Sequence, residues 1–384
     1  MMQPSLPPGF PEDTIFIIDG LTAAYTVALI CAGRSVRCIY ECKEIQWRKA
    51  DFIALYDLLL ADVHIREKRI EHVPHPYFLQ GRGLIDTIRK QRVFIADIRR
   101  RVPLDRNATY CGCVTSSILL GHKERVRHLL MDEGMDSLMT RHRLYSQGRA
   151  KWKDKVRETL AGWLIPFRFH RDTPQITMAG DVHGAIVLRK DYRDFRSHRF
   201  DQLAWPLIEQ LGKSDKNVLA LVKGPPHTSA SPQTGEHEVY ARYIEFNMQA
   251  IRRFIALQPA YADACFHLKT HPSLGSDSPL VGALVSALAR HSIQGRSIWE
   301  GMQFEELPSI PAEACLATGK FDVLLSLDVS SSLWHVGHDP SLACYMPLGA
   351  IMEGARDDGY SALIPLLAAQ RELNRLNGNH VIFY

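Results

Sequence analysis

Residues 14–40 read TIFIIDGLTAAYTVALICAGRSVRCIY. The first five residues, 14–18, are mostly apolar and β-branched, which predicts a buried strand. The next segment has a helix-like composition and ends at Gly33, and a second short strand is predicted at 36–40. This order is typical of the start of a βαβ unit. The stretch therefore predicts a parallel α/β sheet that helices cover on both faces.

The same alternation continues through the first third of the chain. We expect a helix over 51–71 and strands at 92–98, 108–120 and 126–131, which would complete the sheet that residue 14 begins. Asp19 and Gly20 follow the first strand directly, and we expect them to form a turn.

The alternation then restarts, which predicts a second α/β unit. Strands are expected at 217–222, 264–270 and 321–327, and helices at 239–258, 279–292 and 361–377. We therefore predict two Rossmann-like, doubly wound domains that face each other across a cleft, with boundaries at 1–210 and 211–384. The last helix could cross back to the first domain. Ligands of such sheets bind beyond the carboxyl ends of the strands, so the loops that follow the strands are the ones to inspect.

Length and composition support a globular protein of two domains and argue against a nucleic-acid-binding, membrane-spanning or secreted protein. A chain of 384 residues is about right for two domains. A net charge of +4 is well below that of a typical nucleic-acid-binding protein, so no nucleic-acid partner is expected. No apolar stretch approaches the roughly 20 residues that span a bilayer, and the first residues do not resemble a secretory signal. We expect a cytoplasmic protein whose eight cysteines are buried, reduced thiols.

One segment, residues 89–101, is strongly basic and reads RKQRVFIADIRRR. It can be the solvated face of an element. It can also attract an anionic acceptor or the inner face of a membrane, which would make the protein peripheral to that membrane.

A pair of adjacent carboxylates, Asp132 and Glu133, follows the predicted strand at 126–131 and precedes Gly134. A carboxylate at a strand end that faces a cleft can act as a general base toward an alcohol. The second acid would raise the pKa of the first by repulsion between like charges. The sequence predicts a base at this position without deciding which of the two acids it is.

A second polar loop follows the predicted strand at 264–270 and contains Lys269, His271 and Pro272. A histidine backed by a lysine is well suited to donate to a phosphate leaving group. The alternative is a structural histidine that precedes a proline turn.

Two further polar segments come later in the second predicted domain. Ser330, Ser331 and Ser332 follow the strand at 321–327 and offer hydroxyl and backbone N–H groups to phosphate oxygens. Glu313, in the segment IPAE, could accept hydrogen bonds from ribose hydroxyls. Helix capping is the alternative interpretation for the serines, and a place in the first turn of a helix is the alternative for Glu313.

The order of these motifs, MDEGMDSL, KTHPS, IPAE and VSSSL, resembles that of bacterial sialyltransferases and polysialyltransferases. Those are inverting enzymes of the GT-B fold that use CMP-sialic acid. The resemblance covers mainly the second domain and one loop of the first. It implies a CMP-sugar donor, a glycan acceptor and no cofactor. It also implies no metal, in agreement with the lack of a clear D-x-D motif.

The resemblance also implies roles for single residues. Asp132 or Glu133 would be the base, and His271 would help CMP to leave. Ser331, with Ser330 or Ser332, would hold the phosphate, although three serines stand where the motif needs two. Glu313 would bind the ribose, and Gly224 would let the backbone pass close to the donor. Lys269 and Pro272 belong to the same donor loop.

Two other functions remain open at this stage. One is a capsule glycosyltransferase that uses CMP-Kdo on the same fold. The other belongs to a different class, a non-catalytic protein that binds a sugar nucleotide or a glycan.

Overall fold

The chain folds into two compact units, residues 1–190 and 191–384. The computed structural model describes residues 10–44, 53–74, 84–131, 169, 173, 175–177, 185–187, 216–224, 236–270, 279–298, 312–328, 330, 332–333, 339–357, 367, 371, 374–375 and 380–384. The predicted boundary between residues 210 and 211 and most of the predicted helix over 361–377 lie outside these residues, and both stay predictions.

The described part of the first unit contains one sheet of seven parallel strands, in the order β3-β2-β1-β4-β5-β6-β7. The strands are β1 (Ile15–Ile18), β2 (Ser35–Glu44), β3 (His64–Pro74), β4 (Thr109–Cys113), β5 (Arg127–Met131), β6 (Gln175–Thr177) and β7 (Ala185–Val187). The helices described between them are α1 (Leu21–Cys31), α2 (Ile53–Leu59), α3 (Leu84–Arg101) and α4 (Ser117–His122).

The described part of the second unit contains six parallel strands in the order β10-β9-β8-β11-β12-β13. The strands are β8 (Asn217–Leu221), β9 (Cys265–Lys269), β10 (Gly295–Ser297), β11 (Val323–Ser326), β12 (Ala343–Met346) and β13 (Val381–Phe383). The helices are α5 (Glu236–Leu257), α6 (Pro279–Arg290), α7 (Ala312–Ala317) and α8 (Leu348–Asp357).

Helix α5 shows why the helices cover the sheet. Its buried residues Tyr243, Asn247, Ile251 and Phe254 recur every three to four positions and so lie on one face. The Phe254 ring packs against Phe266 of β9 and Tyr345 of β12, and this cluster forms the core of the second unit.

The predicted fold class is confirmed: the chain is an α/β protein with two Rossmann-like, doubly wound sheets in succession, as in GT-B proteins. In each sheet the first strand lies between the second and the fourth, so the strand order reverses there. We call this position the switch point of the sheet. The cleft between the domains stays a prediction.

The prediction of a strand at 92–98 is wrong, because these residues belong to helix α3. The buried residues Gln91, Phe94, Ile95 and Ile98 are spaced as on a helix face, whereas Val93 is exposed. The run of arginines that ends α3 favours a helix C-terminus through the helix dipole.

The prediction of one helix over 51–71 is right only for its first part. Helix α2 ends at Leu59, and the chain then forms the edge strand β3. Residues 64–74 pair with residues 35–44 of β2, and this pairing overrides the helix propensity of the Arg, Glu and Lys residues. Charged residues are also common on edge strands, where they hinder further pairing.

The predicted strand at 108–120 is in fact a short strand followed by a helix. Strand β4 ends at Cys113, and Ser116 then caps helix α4 by accepting a hydrogen bond from the Leu119 N–H at 3.0 Å. Five short strands, β6, β7, β10, β12 and β13, and helix α8 were not predicted.

The eight cysteines all lie in the described part of the chain as thiols, and six of them are buried. This agrees with the prediction of buried thiols. Burial raises the pKa of Cys344 to about 12 and that of Cys111 well above its usual range, so these thiols are poorly reactive. No helix in the described residues has the length and apolar character that crossing a membrane requires.

The buried imidazole of His267 on β9 is held in its neutral form. The Arg296 Nε donates to His267 Nδ1 at 3.2 Å, so the ring proton lies on Nε2, which donates to Asn217 Oδ1 at 2.8 Å. Burial, with a smaller effect from Arg296, lowers the pKa of His267 to about 3.

We predict that this histidine makes the protein sensitive to acid. The unfolded state takes up a proton below about pH 6.5, whereas the folded state resists protonation down to about pH 3, so the stabilisation is lost as the pH falls. Urea unfolding at pH 7 and pH 5 should show a loss of about 2 kcal/mol from this group. His267→Gln should show a smaller loss between the two pH values than the wild type. Equal losses would contradict the prediction.

Candidate functional site

The switch point of the second sheet brings together the ends of β8 and β11. The two strands pair in parallel from Val218↔Val323 to Leu221↔Ser326, so both end at the same edge. The Leu327 N–H donates to the Leu221 carbonyl at 2.9 Å and extends this pairing by one residue. The segments that follow, 222–224 and 327–328, therefore begin side by side.

Lys223 is a buried cation at this switch point. Only 8% of its side chain is exposed, and its Nζ lies 3.9 Å from Asp328 Oδ1. That distance exceeds the 2.7–2.9 Å typical of a charge-assisted hydrogen bond. The Phe246 ring lies 5.8 Å from Nζ and contributes a cation–π contact. The amine is thus held in place, and no carboxylate of the described residues makes a short contact with it.

The backbone of Lys223 is fixed by the side chain of Asn247 on α5. The Lys223 N–H donates to Asn247 Oδ1 at 3.0 Å, and Asn247 Nδ2 donates to the Lys223 carbonyl at 2.8 Å. Asn247 is fully buried and also donates to the Tyr243 carbonyl of its own helix at 2.6 Å. These bonds set the path of the chain where it leaves β8 and enters Gly224.

The segment after β11 carries the predicted serines. Ser326 Oγ donates to the Asp328 carbonyl at 2.6 Å and bends the chain at the strand end. Ser330 Oγ accepts a hydrogen bond from the Ser332 N–H at 3.2 Å, which is a short capping turn. The predicted capping role is thus seen for Ser330, and its phosphate-binding role stays a prediction.

Lys269, the last residue of β9, is also buried at this edge. Its Nζ lies 3.4 Å from the Thr270 carbonyl, so one of its donors is directed at the chain just before the predicted His-Pro loop. The Val222 N–H donates to the Lys269 carbonyl at 2.8 Å, which joins this strand end to that of β8.

The switch point of the first sheet carries a second polar cluster. Lys43 Nζ and Thr115 Oγ1 donate to Asp19 Oδ2, at 2.8 and 3.0 Å. Asp19 follows β1 and Thr115 follows β4, so their hydrogen bond spans the switch point. Asp19 is therefore more than the turn residue that its sequence predicts, since it is the centre of a buried charge network.

Glu41 on β2 lies beside this cluster, and both of its carboxylate oxygens accept hydrogen bonds from groups of the protein. Its carboxylate accepts from Ser116 Oγ at 2.6 Å and from the N–H groups of Ser117 and Ile118 at 2.7 and 3.2 Å. Burial raises the pKa of Glu41, Asp19 raises it further, and the charge of Lys43 and these hydrogen bonds lower it. Glu41 thus fixes the start of α4.

Several predicted site residues lie outside the described residues, so nothing tests their placement: Asp132, Glu133, His271, Pro272 and Ser331. The chain enters the acidic motif from Met131, the last residue of β5, which pairs with Cys113 of β4. Glu313 lies at the start of α7, in agreement with the predicted helix start, and its ribose contact stays a prediction. Gly224, Lys269, Ser330 and Ser332 lie beyond or at the carboxyl ends of β8, β9 and β11.

Sequence reasoning missed Lys223, Asn247 and Asp328, and took Asp19 for a turn. Lys223 was detectable, because it follows a buried strand directly and precedes the glycine that was singled out. Asn247 was not, because one polar residue on the apolar face of a helix does not reveal what it binds.

The basic run on α3 is largely paired with carboxylates. Lys90 pairs with Asp86, Arg100 and Arg101 pair with Asp97, and Arg99 pairs with Glu124. These pairs reduce the charge that the helix presents. Peripheral membrane contact through this segment stays a prediction.

Within the described part of the chain, no three His, Cys, Asp or Glu side chains are grouped so that they could hold a metal ion. The expectation of a metal-independent reaction stays a prediction.

No protein-family model matches the chain, and no curated protein matches it. The chain is similar to the solved structure titled "Crystal structure of LpCGTa in complex with UDP", with a TM-score of 0.41 and 11% identity over 95% of this chain and 94% of that one. At this score and identity the likeness carries no conclusion about activity or ligand. The function proposed below therefore rests on the residues of this chain.

We predict that Asn247→Leu destabilises the protein, because it leaves the buried N–H and carbonyl of Lys223 without partners. Each buried group left unpaired costs about 1–3 kcal/mol. Urea unfolding measures the effect. Gln249→Leu is the matched control, since this exposed residue of the same helix donates to Glu245 at 2.9 Å on the helix surface and should change stability by less than about 0.5 kcal/mol. Similar stabilities of the two variants would contradict the assigned role of Asn247.

Proposed function

We propose that the protein is an inverting glycosyltransferase that moves sialic acid, or a related keto sugar acid, from a CMP-activated donor to a glycan hydroxyl. The acceptor oxygen attacks the anomeric carbon of the donor, and the bond from that carbon to the phosphate oxygen breaks. The acceptor proton passes to a carboxylate, and CMP leaves. The support comes from two sources, the order of the four motifs and the polar groups at the second switch point.

The polar groups at the second switch point are the observation that carries the proposal. Lys223 and Gly224 follow β8, while Asp328, Ser330 and Ser332 follow β11, the neighbouring strand. A buried amine without a short carboxylate contact is suited to an anionic oxygen. Gly224 lacks a side chain, so a ligand can approach the backbone closely. Together these groups favour a nucleotide phosphate at this position.

The proposal gives the acid–base steps to residues outside the described part. Asp132 or Glu133 takes the proton of the acceptor hydroxyl, and His271 protonates or binds the departing phosphate. Lys269 supports the His271 loop through its contact with the Thr270 carbonyl. Glu313, Ser331 and Pro272 belong to the donor site in this proposal.

Incubation with CMP-Neu5Ac or CMP-Kdo, with and without an oligosaccharide panel, tests the reaction, with free CMP as the readout. We predict CMP release from CMP-Neu5Ac that increases with a suitable acceptor. The double variant Asp132→Ala, Glu133→Ala should abolish transfer and leave CMP binding largely intact, because the donor site is separate from the base. Release only from CMP-Kdo would favour the capsule alternative. CMP binding without any turnover would favour the non-catalytic alternative.

We also predict that Lys223→Met weakens CMP binding by about 10- to 100-fold and leaves cytidine binding unchanged. The lost interaction is a hydrogen bond to a charged group, worth about 1.5–3 kcal/mol. Calorimetric titration with CMP and with cytidine measures both affinities.

The matched control is Lys216→Met at the opposite end of β8. Lys216 is exposed and donates to the Ala260 carbonyl, so this variant should bind CMP as the wild type does. A Lys223→Met variant that loses CMP and cytidine affinity equally would contradict a phosphate contact.

A further inference from the structure

The Asp19 carboxylate has one oxygen that the described chain leaves unused. Its side chain is 3% exposed, and Oδ2 accepts from both Lys43 and Thr115. Oδ1 is equally buried, and no hydrogen-bond donor reaches it from the described residues. Buried carboxylate oxygens are normally satisfied, so an oxygen that no described residue reaches is suited to accept a hydrogen bond from a ligand.

The neighbouring carboxylate, that of Glu41, has no such unpaired oxygen. Glu41 accepts three hydrogen bonds from Ser116, Ser117 and Ile118, so both of its oxygens are engaged. Of the four carboxyl oxygens of Asp19 and Glu41, only Asp19 Oδ1 lacks a hydrogen-bond partner among the described residues.

The surroundings of Asp19 offer both space and donors. A Cβ built on the next residue, Gly20, would meet no atom of the described residues within 4 Å. Gly20 is the residue before α1, an 11-residue helix whose start no side chain caps and whose first turn holds no acidic residue. The first N–H groups of a helix have no intrahelical partner, so they can donate to a ligand.

These features select the chemistry of the ligand. It must donate to a carboxylate oxygen and can accept from the helix N–H groups, and a hydroxyl group does both. An anion is disfavoured, because the carboxyl groups of Asp19 and Glu41 both lie beside Lys43 and would repel a further negative charge. A polyhydroxylated neutral group, such as a sugar ring, fits these requirements.

The place of Asp19 in the sheet links this ligand to the proposed reaction. β1, β4 and β5 are parallel neighbours, and Phe16, Cys111 and Leu129 share one row. Asp19 lies three residues beyond that row, and Met131 lies two residues beyond it. With about 4.8 Å between strands, the chain enters the acidic motif about 10 Å from the end of β1.

We propose that Asp19 Oδ1, with the start of α1, binds a hydroxyl of the glycan acceptor and positions it for the base of the acidic motif. The identity of this ligand as the acceptor rests on the proposed function. Asp19 is a binding residue in this proposal, and the proton goes to Asp132 or Glu133.

The variant Asp19→Asn tests the proposal. In transfer assays we expect the acceptor KM to rise about tenfold or more, since a hydrogen bond to a charged group is lost. The donor KM, and CMP release without acceptor, should not change. Glu41→Gln is the matched control: it alters the neighbouring carboxylate, which contacts only the chain, and should leave the acceptor KM unchanged. An unchanged acceptor KM in Asp19→Asn overturns the proposal.

A second variant keeps the test valid if Asp19→Asn does not fold. Gly20→Leu fills the open space and leaves the Asp19 bonds in place. The backbone tolerates it, because Gly20 has an extended φ of −175°. We expect the same loss of acceptor affinity with an unchanged melting temperature. Full acceptor affinity in Gly20→Leu counts against the site.

Binding measured without donor separates this proposal from the transferase proposal. Lactose and 3′-sialyllactose are titrated into the wild type and the variants, and NMR or calorimetry gives the affinities. If the wild type releases no CMP from any donor yet binds a probe that both variants bind at least tenfold more weakly, the transferase proposal fails and the Asp19 site stands. If neither probe binds the wild type, or if Asp19→Asn binds as tightly, the Asp19 site is overturned.

Discussion

The position of the first strand between two parallel neighbours is the constraint on which both polar clusters depend. β1 lies between β2 and β4, and β8 lies between β9 and β11. Crossover connections are right-handed, so the chain segments that leave these strands toward the two sides of the sheet pass over opposite faces. Ligands of doubly wound sheets bind at this position, beyond the carboxyl ends of the strands. The buried polar groups of both clusters, with Asp19 and Lys223 among them, lie at these strand ends.

The two clusters differ in charge, which suits them to different ligand groups. At the first switch point Asp19 and Glu41 share Lys43, with a short 2.8 Å bond between Lys43 and Asp19. At the second, Lys223 stands 3.9 Å from Asp328, with Lys269 buried at the next strand end. The first cluster thus offers a hydrogen-bond acceptor, and the second offers a cation. A transferase needs both kinds of group, because its acceptor brings a hydroxyl and its donor brings a phosphate.

Much of the fold could be predicted from the sequence, because buried parallel strands are continuous apolar runs. Segments 14–18, 217–222 and 264–270 were predicted as strands and are strands, since their composition leaves no polar face for a surface helix. The wrong secondary-structure predictions concern segments whose structure is determined by tertiary contacts. Residues 64–74 have the composition of a helix, but they pair with β2 along its whole length. Residues 92–98 form an apolar run, but the burial pattern of α3 has a helical period.

The candidate site could be predicted only as far as strand ends can be located. Gly224, Lys269 and the serines were found because they follow runs that were recognised as strands. The contact between Lys223 and Asp328 joins positions 105 residues apart. Lys223 can therefore be recognised as a site residue only once β11 is known to lie beside β8. The Asp19–Thr115 bond spans 96 residues in the same way. Strand order is a long-range property of the sheet, so local patterns predict which loops carry chemistry but not which loops share one switch point.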